Sequence, residues 1–243
     1  MLFSMLKLPF LPTYNDYQFK LATDLSADDK LYFIGIGSLD NNKLNTGEEN
    51  LEPDREYILG YLPNNDQTSF TFGGGYVHRF DGGRLRATVS VDYLKNRLYK
   101  YESNDEARPL LFDIDSREMN YRANVSAEWH DVAGFRLMAG ASGGVGASRH
   151  VTFGRYGMYA SASRVWGRVS ANASLRFDGM SYGRHTSNPL KQVSPRLNLS
   201  YRLSRVFTLS GSVARYYQEP TMTLLDYDGN DIDGFRQSDG LKY

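Results

Sequence analysis

The side chains with the greatest chemical reach in this 243-residue sequence are scattered rather than gathered. Four histidines, His78, His130, His150 and His185, stand far apart, and none forms a pair at metal-ligand spacing. No cysteine is present, so neither a thiolate zinc site nor a disulfide framework can be drawn. No G-x-S-x-G elbow exposes a nucleophilic serine. The run Gly140-Ala-Ser-Gly-Gly-Val-Gly146 has the look of a phosphate loop but lacks a following Lys-Ser/Thr and opens no helix. Its small residues read better as a strand that lets something pack closely against it. From Asp226 to Gly234, Asp226, Asp228 and Asn230 are spaced like the first ligands of a calcium loop. The sixth and twelfth positions, which need Gly and Glu, hold Asp231 and Gln237, so a solvated loop is the expectation. Glu48, Glu49, Glu52, Asp54 and Glu56 form an exposed acidic loop. Asn124, Asn172 and Asn198 each head an N-x-S triplet but fall in mid-strand. No catalytic, cofactor-binding, metal-binding or ligand-binding residue is assigned, and an enzyme is the least supported class.

Charge and composition narrow the field further. The 28 basic and 28 acidic residues cancel, which removes the basic excess that nucleic-acid binding would want. No run of about 18 apolar residues occurs, so no membrane helix is expected. A transmembrane strand needs only about 9–11 residues, half of them polar, and hydropathy does not see it. Eighteen tyrosines beside two tryptophans, with 23 glycines, complete an unusual balance.

The elements that would position any site are strands. Period-two alternation runs through Tyr17–Thr23, Lys30–Ser38, Ser69–Phe80, Arg84–Tyr101, Ser116–His130, Phe135–Arg149, Arg155–Val165 and Arg168–Tyr182. Two more strands lie in Val193–Pro220, where Pro195, Leu197, Leu199, Tyr201 and Leu203 alternate with Arg196, Asn198, Ser200 and Arg202. After the Ser204-Arg205 break, Phe207, Leu209, Gly211, Val213 and Tyr217 alternate with Thr208, Ser210, Ser212 and Tyr216, which makes a hairpin. Asp24–Asp29, Asp81–Gly83, Asp131–Gly134, Trp166-Gly167 and Ser204-Arg205 read as short turns. Longer connections follow Ser38, Tyr101, Tyr182 and Pro220; the one spanning Leu39–Gln67 breaks the alternation, apart from a helical turn at Glu56–Leu59. Arg84–Tyr101 is about three times the usual globular strand length.

Long strands with strict alternation, tight turns at one end and long loops at the other predict an all-β fold. It is an antiparallel transmembrane β-barrel segment of about ten long strands, with short periplasmic turns and long extracellular loops. The Leu/Val/Phe face is expected to meet lipid and the Arg/Asn/Ser face the lumen, with tyrosines marking the interfaces. A water-soluble β-sandwich or lipocalin-like barrel also alternates, but its strands average about 5–6 residues.

The hairpin also carries a resemblance. Ser194-Pro195-Arg196-Leu197-Asn198-Leu199-Ser200-Tyr201-Arg202, then a strand ending Ala214-Arg215-Tyr216-Tyr217-Gln218-Glu219-Pro220, resembles a hairpin of the TonB-dependent outer-membrane receptors. Tyr14–Leu21 with Lys30-Leu31 and Leu39-Asp40-Asn41 is similar to an earlier hairpin of the same barrel. The resemblance implies energised uptake of a large nutrient: an iron chelate, haem, vitamin or glycan. It implies a place in the Gram-negative outer membrane, among its lipids, and an energising TonB-type complex reached through a plug domain; a surface binding lipoprotein is a further candidate partner, and nucleic acid is not. Family members carry a signal, a TonB box, a plug and about 22 strands.

Against that pattern, residues 1–16 are expected to be a lead-in without a convincing signal peptide, 17–220 a partial barrel and 221–243 a tail resembling an extracellular loop. No plug is expected before Tyr17, further strands are expected after Tyr243, and Met1 is expected to open a truncated or re-annotated reading frame. Arg176, Arg196 and Asp178 are candidates to line the path, although alternation leaves open which face the ligand sees. A plug-less structural or adhesive outer-membrane barrel and a soluble β-sheet binding protein are the competing functions.

Overall fold

Strand after strand, the alternation becomes one antiparallel sheet. The computed structural model describes residues 10–45, 53–148, 151–182 and 186–217. Its strands are β1 (Phe10–Asp24), β2 (Asp29–Leu44), β3 (Asn64–Phe80), β4 (Gly83–Tyr101), β5 (Leu110–Val132), β6 (Phe135–Ser148), β7 (Thr152–Trp166), β8 (Val169–Met180), β9 (Val193–Arg202) and β10 (Thr208–Ala214). They hydrogen-bond in sequence order, and among the described residues β1 and β10 each have a strand partner on one side only. One nine-residue helix, α1 (Pro53–Tyr61), stands between β2 and β3, with proline at its start where a missing N–H is harmless. No helix among the described residues is long and apolar enough to cross a membrane, which leaves a β-barrel untouched as an option. Left-handed glycines, Gly82 at φ 76° and Gly167 at φ 55°, let two of the tight turns close.

Several strands run further than the alternation predicts, β2 and β3 into polar sequence. β1 begins at Phe10 rather than Tyr17, β2 continues to Leu44, β3 begins at Asn64, and β5 begins at Leu110 and reaches 23 residues. The expected break over Leu39–Gln67 is therefore partly strand, and the expected helical turn at Glu56–Leu59 is part of α1. Lateral polar bonds are the physical reason. Ser38 and Ser69 hydroxyls meet at 2.9 Å, Asn41 donates to Asp66, and the Asn64 side chain accepts from the Leu44 N–H at 3.0 Å. Side chains that hydrogen-bond across strands hold a ladder together without an apolar face. The acidic residues Glu48, Glu49 and Glu52, together with His150, His185, Pro220 and the Asp226–Gly234 run, lie outside the described residues.

The described chain divides into two compact units: residues 10–20, 34–45, 53–72 and 92–119 in the first, and 21–33, 73–91, 120–148, 151–182 and 186–217 in the second. Neither is built around a large core. Buried apolar residues are few: Leu44, Leu59 and Tyr99 in the first unit, and Val151, Phe153 and Met180 in the second. In the second unit the strand registers set the two faces apart. One carries the rows Ala162–Ala173–Leu197–Val213, Ala160–Leu175–Pro195 and Met158–Phe177–Val193. The other carries Ser163–Asn172–Asn198–Ser212, Ser161–Ser174–Arg196 and Tyr159–Arg176–Ser194. An apolar face with Leu175, Leu197, Leu199, Leu209 and Val213 all exposed exceeds what a soluble monomer presents to water, and suits hydrocarbon.

The small residues of β6 have neighbours within the wall itself. A Cβ on Gly140 would meet the Tyr159 ring at 2.7 Å, and Tyr159 is its partner across the β6–β7 ladder. One on Gly179 would meet the ring of its own cross-strand partner, Tyr156, at 2.4 Å. The Tyr159 ring thus occupies the space over Gly140 in β6, and the Tyr156 ring that over Gly179 in β8. Gly144 differs, because its Cβ would sit 2.4 Å from the Tyr121 carbonyl oxygen, and backbone cannot swing away as a ring can. Gly144→Ala is expected to destabilise the sheet by about 1–3 kcal/mol through this overpacking, and Gly140→Ala by much less. Denaturant unfolding of the two variants side by side checks it; equal losses would contradict the backbone contact.

Candidate functional site

The polar face of the second unit is where chemistry gathers. Because β6 to β9 alternate in phase, their polar side chains point to one side and form rows perpendicular to the strands. Two hollows open there. The smaller, about 310 Å³, is lined by Arg122, Asn124, Arg155, Tyr156, Arg176 and Asp178 among others. The larger, about 660 Å³, extends to the turn edge past His130, Arg136, Asn172, Asn198 and Ser200.

Arg176 and Asp178, two of the three residues expected to line a path, lie together in the smaller hollow. They are two apart on β8 and so share its face, and the Arg176 Nε donates to both Asp178 oxygens at 2.9 and 2.7 Å. Arg155 reaches across to donate from Nη1 to the Asn120 side chain at 2.8 Å. Arg196, the third expected residue, occupies the Ser161–Ser174–Arg196 row and lays its guanidinium 4.7 Å over the Tyr216 ring. The smaller hollow thus presents guanidinium groups, each a planar fork of donors, beside the Asp178 carboxylate. Arg122 and Arg155 could have been found from the alternation that led to Arg176.

The loop side of this face is closed by apolar packing. Val151, Phe153 and Met180 form a buried cluster with Tyr182 against it, and Arg155 stacks 4.7 Å over the Phe153 ring. Tyr156 donates from its hydroxyl to the Ser187 carbonyl at 2.5 Å, tying the loop after β8 to β7. At the turn edge the groups are ionic. Glu128, 8 % exposed, takes the Arg84 guanidinium at 2.6 Å and has His130 and Arg136 each 3.7 Å away. Outside the span, where the chain turns from β1 to β2, Asp29 accepts from Ser26, Tyr76 and His78. Those three hydrogen bonds, Ser26's the largest, hold its carboxyl at about 2. Among the described residues no group of three or more His, Cys, Asp or Glu could hold a metal ion.

In the first unit, sequence reasoning missed Lys100 altogether. It lies at the loop end of β4, 7 % exposed, and its ammonium donates to the carbonyls of Leu59 (3.0 Å) and Leu62 (2.8 Å) and to the Asn104 side chain (2.8 Å). α1 has no basic residue in its own last turn, so Lys100 supplies the cation that its carbonyl end favours. Burial pushes the lysine below its ordinary pKa. The contact ties α1 to the connection between β4 and β5. Lys100→Met leaves two carbonyls without their charged donor and is expected to cost about 1–3 kcal/mol locally. Amide hydrogen exchange over residues 53–62 should then accelerate while the strands stay protected; an unchanged exchange pattern would refute the latch.

A family model described as TonB dependent receptor-like, beta-barrel matches residues 7–242. No curated protein matches the chain. Among solved structures, the siderophore receptor PirA from Acinetobacter baumannii is similar with a TM-score of 0.69 at 16% identity, over 87% of this chain and 34% of that one. The ferric enterobactin receptor PfeA from Pseudomonas aeruginosa follows at 0.68 and 16%, over 88% and 34%. The copper transporter OprC is similar at 0.62 and 12%, over 88% and 38%. At such identities the likeness is one of fold, and the chain spans about a third of the length of these proteins.

Proposed function

The chain belongs to the TonB-dependent receptor family, within its β-barrel, and from that membership we propose that it builds part of the wall of a receptor that takes up an anionic metal chelate of the siderophore type. Family and fold imply the outer membrane, and the proposal sets that membrane in a Gram-negative cell. The observation that carries the choice of ligand is the hollow with Arg122, Arg155 and Arg176 on the polar face. Iron chelates built on catecholate or carboxylate oxygens carry net negative charge, and guanidinium forks gathered in one hollow of a lumen wall match that charge. A neutral glycan would be better served by stacking aromatics than by arginines. The similarity to two siderophore receptors supports the same class.

In this reading the wall does not act alone. A plug domain would complete the ligand site and carry the contact to a TonB-type energising complex, and a surface lipoprotein is a candidate to pass ligand in. The test uses the receptor that carries this segment, with ferric enterobactin as the probe. Arg176→Ala and Arg122→Ala are each expected to weaken binding about 10- to 100-fold, the range for losing a charge-assisted hydrogen bond. Undiminished ferric enterobactin binding in both variants, or strict preference of the parent receptor for a neutral glycan, would overturn the proposal.

A further inference from the structure

From β7 to β10 the turn edge of the second unit carries four arginines and no carboxylate. Residues 163–170 hold Arg164 and Arg168, and residues 200–210 hold Arg202 and Arg205. Among the described residues none of the four meets a carboxylate within ion-pair distance. Arg168 and Arg202 are brought side by side by the bond from the Arg202 N–H to the Arg168 carbonyl, 2.8 Å, and continue the polar face past the Ser170–Ser200 pair.

Arg164 is the telling member. It stands on the apolar face, in the row Arg164–Ala171–Leu199–Gly211, next to the row Trp166–Val169–Tyr201–Leu209. A bare arginine in a lipid-facing row would be unfavourable in mid-membrane, but this one is two residues from the turn. Its guanidinium lies 4.7 Å over the Phe135 ring and 5.4 Å over the Trp166 ring, and Nη1 donates to the Ala133 carbonyl at 3.2 Å. Gly134 leaves the room for it, since a Cβ there would come within 3.2 Å of the guanidinium carbon. The guanidinium is thus held against two aromatic rings and the Ala133 carbonyl at the level of the turn. Trp166, on the same face, is exposed, as are Leu203, Val206 and Phe207 at the next turn. Apolar side chains below and uncompensated guanidinium groups above describe the boundary between acyl chains and head groups.

We propose that the lipid-facing side of this edge is a docking surface for anionic phospholipid, with Arg164 and the turn residue Arg205 holding the head-group phosphates of the leaflet on the turn side. The inference rests on the barrel-wall reading for the presence of a membrane, and goes beyond it in assigning a head-group preference to one edge. Charge complementarity decides the occupant. Each basic residue near an anionic surface strengthens attachment roughly fivefold, and two together outweigh a zwitterionic competitor.

Both tryptophans, Trp129 and Trp166, lie in strands that end at this edge, so Trp129→Phe leaves Trp166 as sole reporter beside Arg164. The full chain is held in detergent micelles, where water reaches the sheet edges, and titrated with short-chain phosphatidylglycerol or phosphatidylcholine. The Trp166 emission should respond to phosphatidylglycerol at concentrations at least tenfold lower, with a preference that fades in high salt. The R164Q/R205Q variant should lose that preference while still responding to both lipids. Equal responses of the parent chain, or a preference that survives in the variant, would overturn the proposal and leave the wall reading intact. A response to glycerol phosphate matching that to the lipid would also overturn it, since the site would then bind free phosphate. Absence of Trp166 quenching by any lipid with brominated chains would instead overturn the wall reading itself.

Discussion

Reconstituted by itself into liposomes, the 243-residue polypeptide will not give a heat-modifiable monomeric barrel, and it will neither bind nor transport a ferric chelate. The reason lies in the sheet order. β1 and β10 each pair on one side only among the described residues, and β10 alone spans seven residues. About half of its backbone N–H and C=O groups therefore face away from β9, on the order of seven groups. In hydrocarbon no water reaches them, and each unpaired group costs several kcal/mol, so one edge opposes insertion by tens of kcal/mol. That exceeds the whole stability of an ordinary domain. The edges should instead find each other, and the chain should run as heterogeneous oligomers. Mobility of boiled and unboiled samples in denaturing gels, with chelate binding measured on the same preparation, decides the matter. A discrete fast-migrating monomer that binds ferric enterobactin would sink this expectation.

The second large effect concerns the faces. Asn172 and Ala173 are adjacent in β8 but belong to different rows, Ser163–Asn172–Asn198–Ser212 and Ala162–Ala173–Leu197–Val213. With the turn at Gly167 and a span of about 9–11 residues, both lie near the membrane midplane. Ala173→Arg should therefore cost the intact barrel about 2–4 kcal/mol, the penalty for a guanidinium in the lipid-facing midplane. Asn172→Arg points into the polar hollow and should cost close to nothing. Urea unfolding of both variants in phospholipid vesicles measures the difference. Equal penalties would mean that the two faces see the same solvent, and the lumen assignment of Arg122, Arg155 and Arg176 would go with it.

Both predictions draw on features that differ in how they were legible. The hairpin β9–β10 could be read from residues alone, with Leu197, Leu199 and Tyr201 on one face and Arg196, Asn198 and Ser200 on the other. Its pairing, Tyr201 with Leu209 and Leu199 with Gly211, preserves that separation. Arg176, Arg196 and Asp178 fall on the polar side for the same reason. The second arm proved shorter than the alternation suggested, running Thr208–Ala214 rather than to Tyr217. Where strands continue through Asn, Asp and Ser, as at Asn41 and Asn64, no apolar period marks them, and the alternation stopped too early.

What the amino-acid sequence determines by itself is thus the pleat: ten strands, two chemically distinct faces, and tight turns where Gly82, Gly167 and Ser204 fall. Those properties are local, because successive side chains of an extended backbone must point to opposite sides. Only the tertiary structure decides which residues meet across the strands. Lys100 finds carbonyls 41 and 38 positions earlier, Tyr156 covers Gly179, and Arg164 settles between Phe135 and Trp166. Register is a lateral property, fixed by many weak contacts acting together, and a shift of one residue would turn every one of these side chains to the other face.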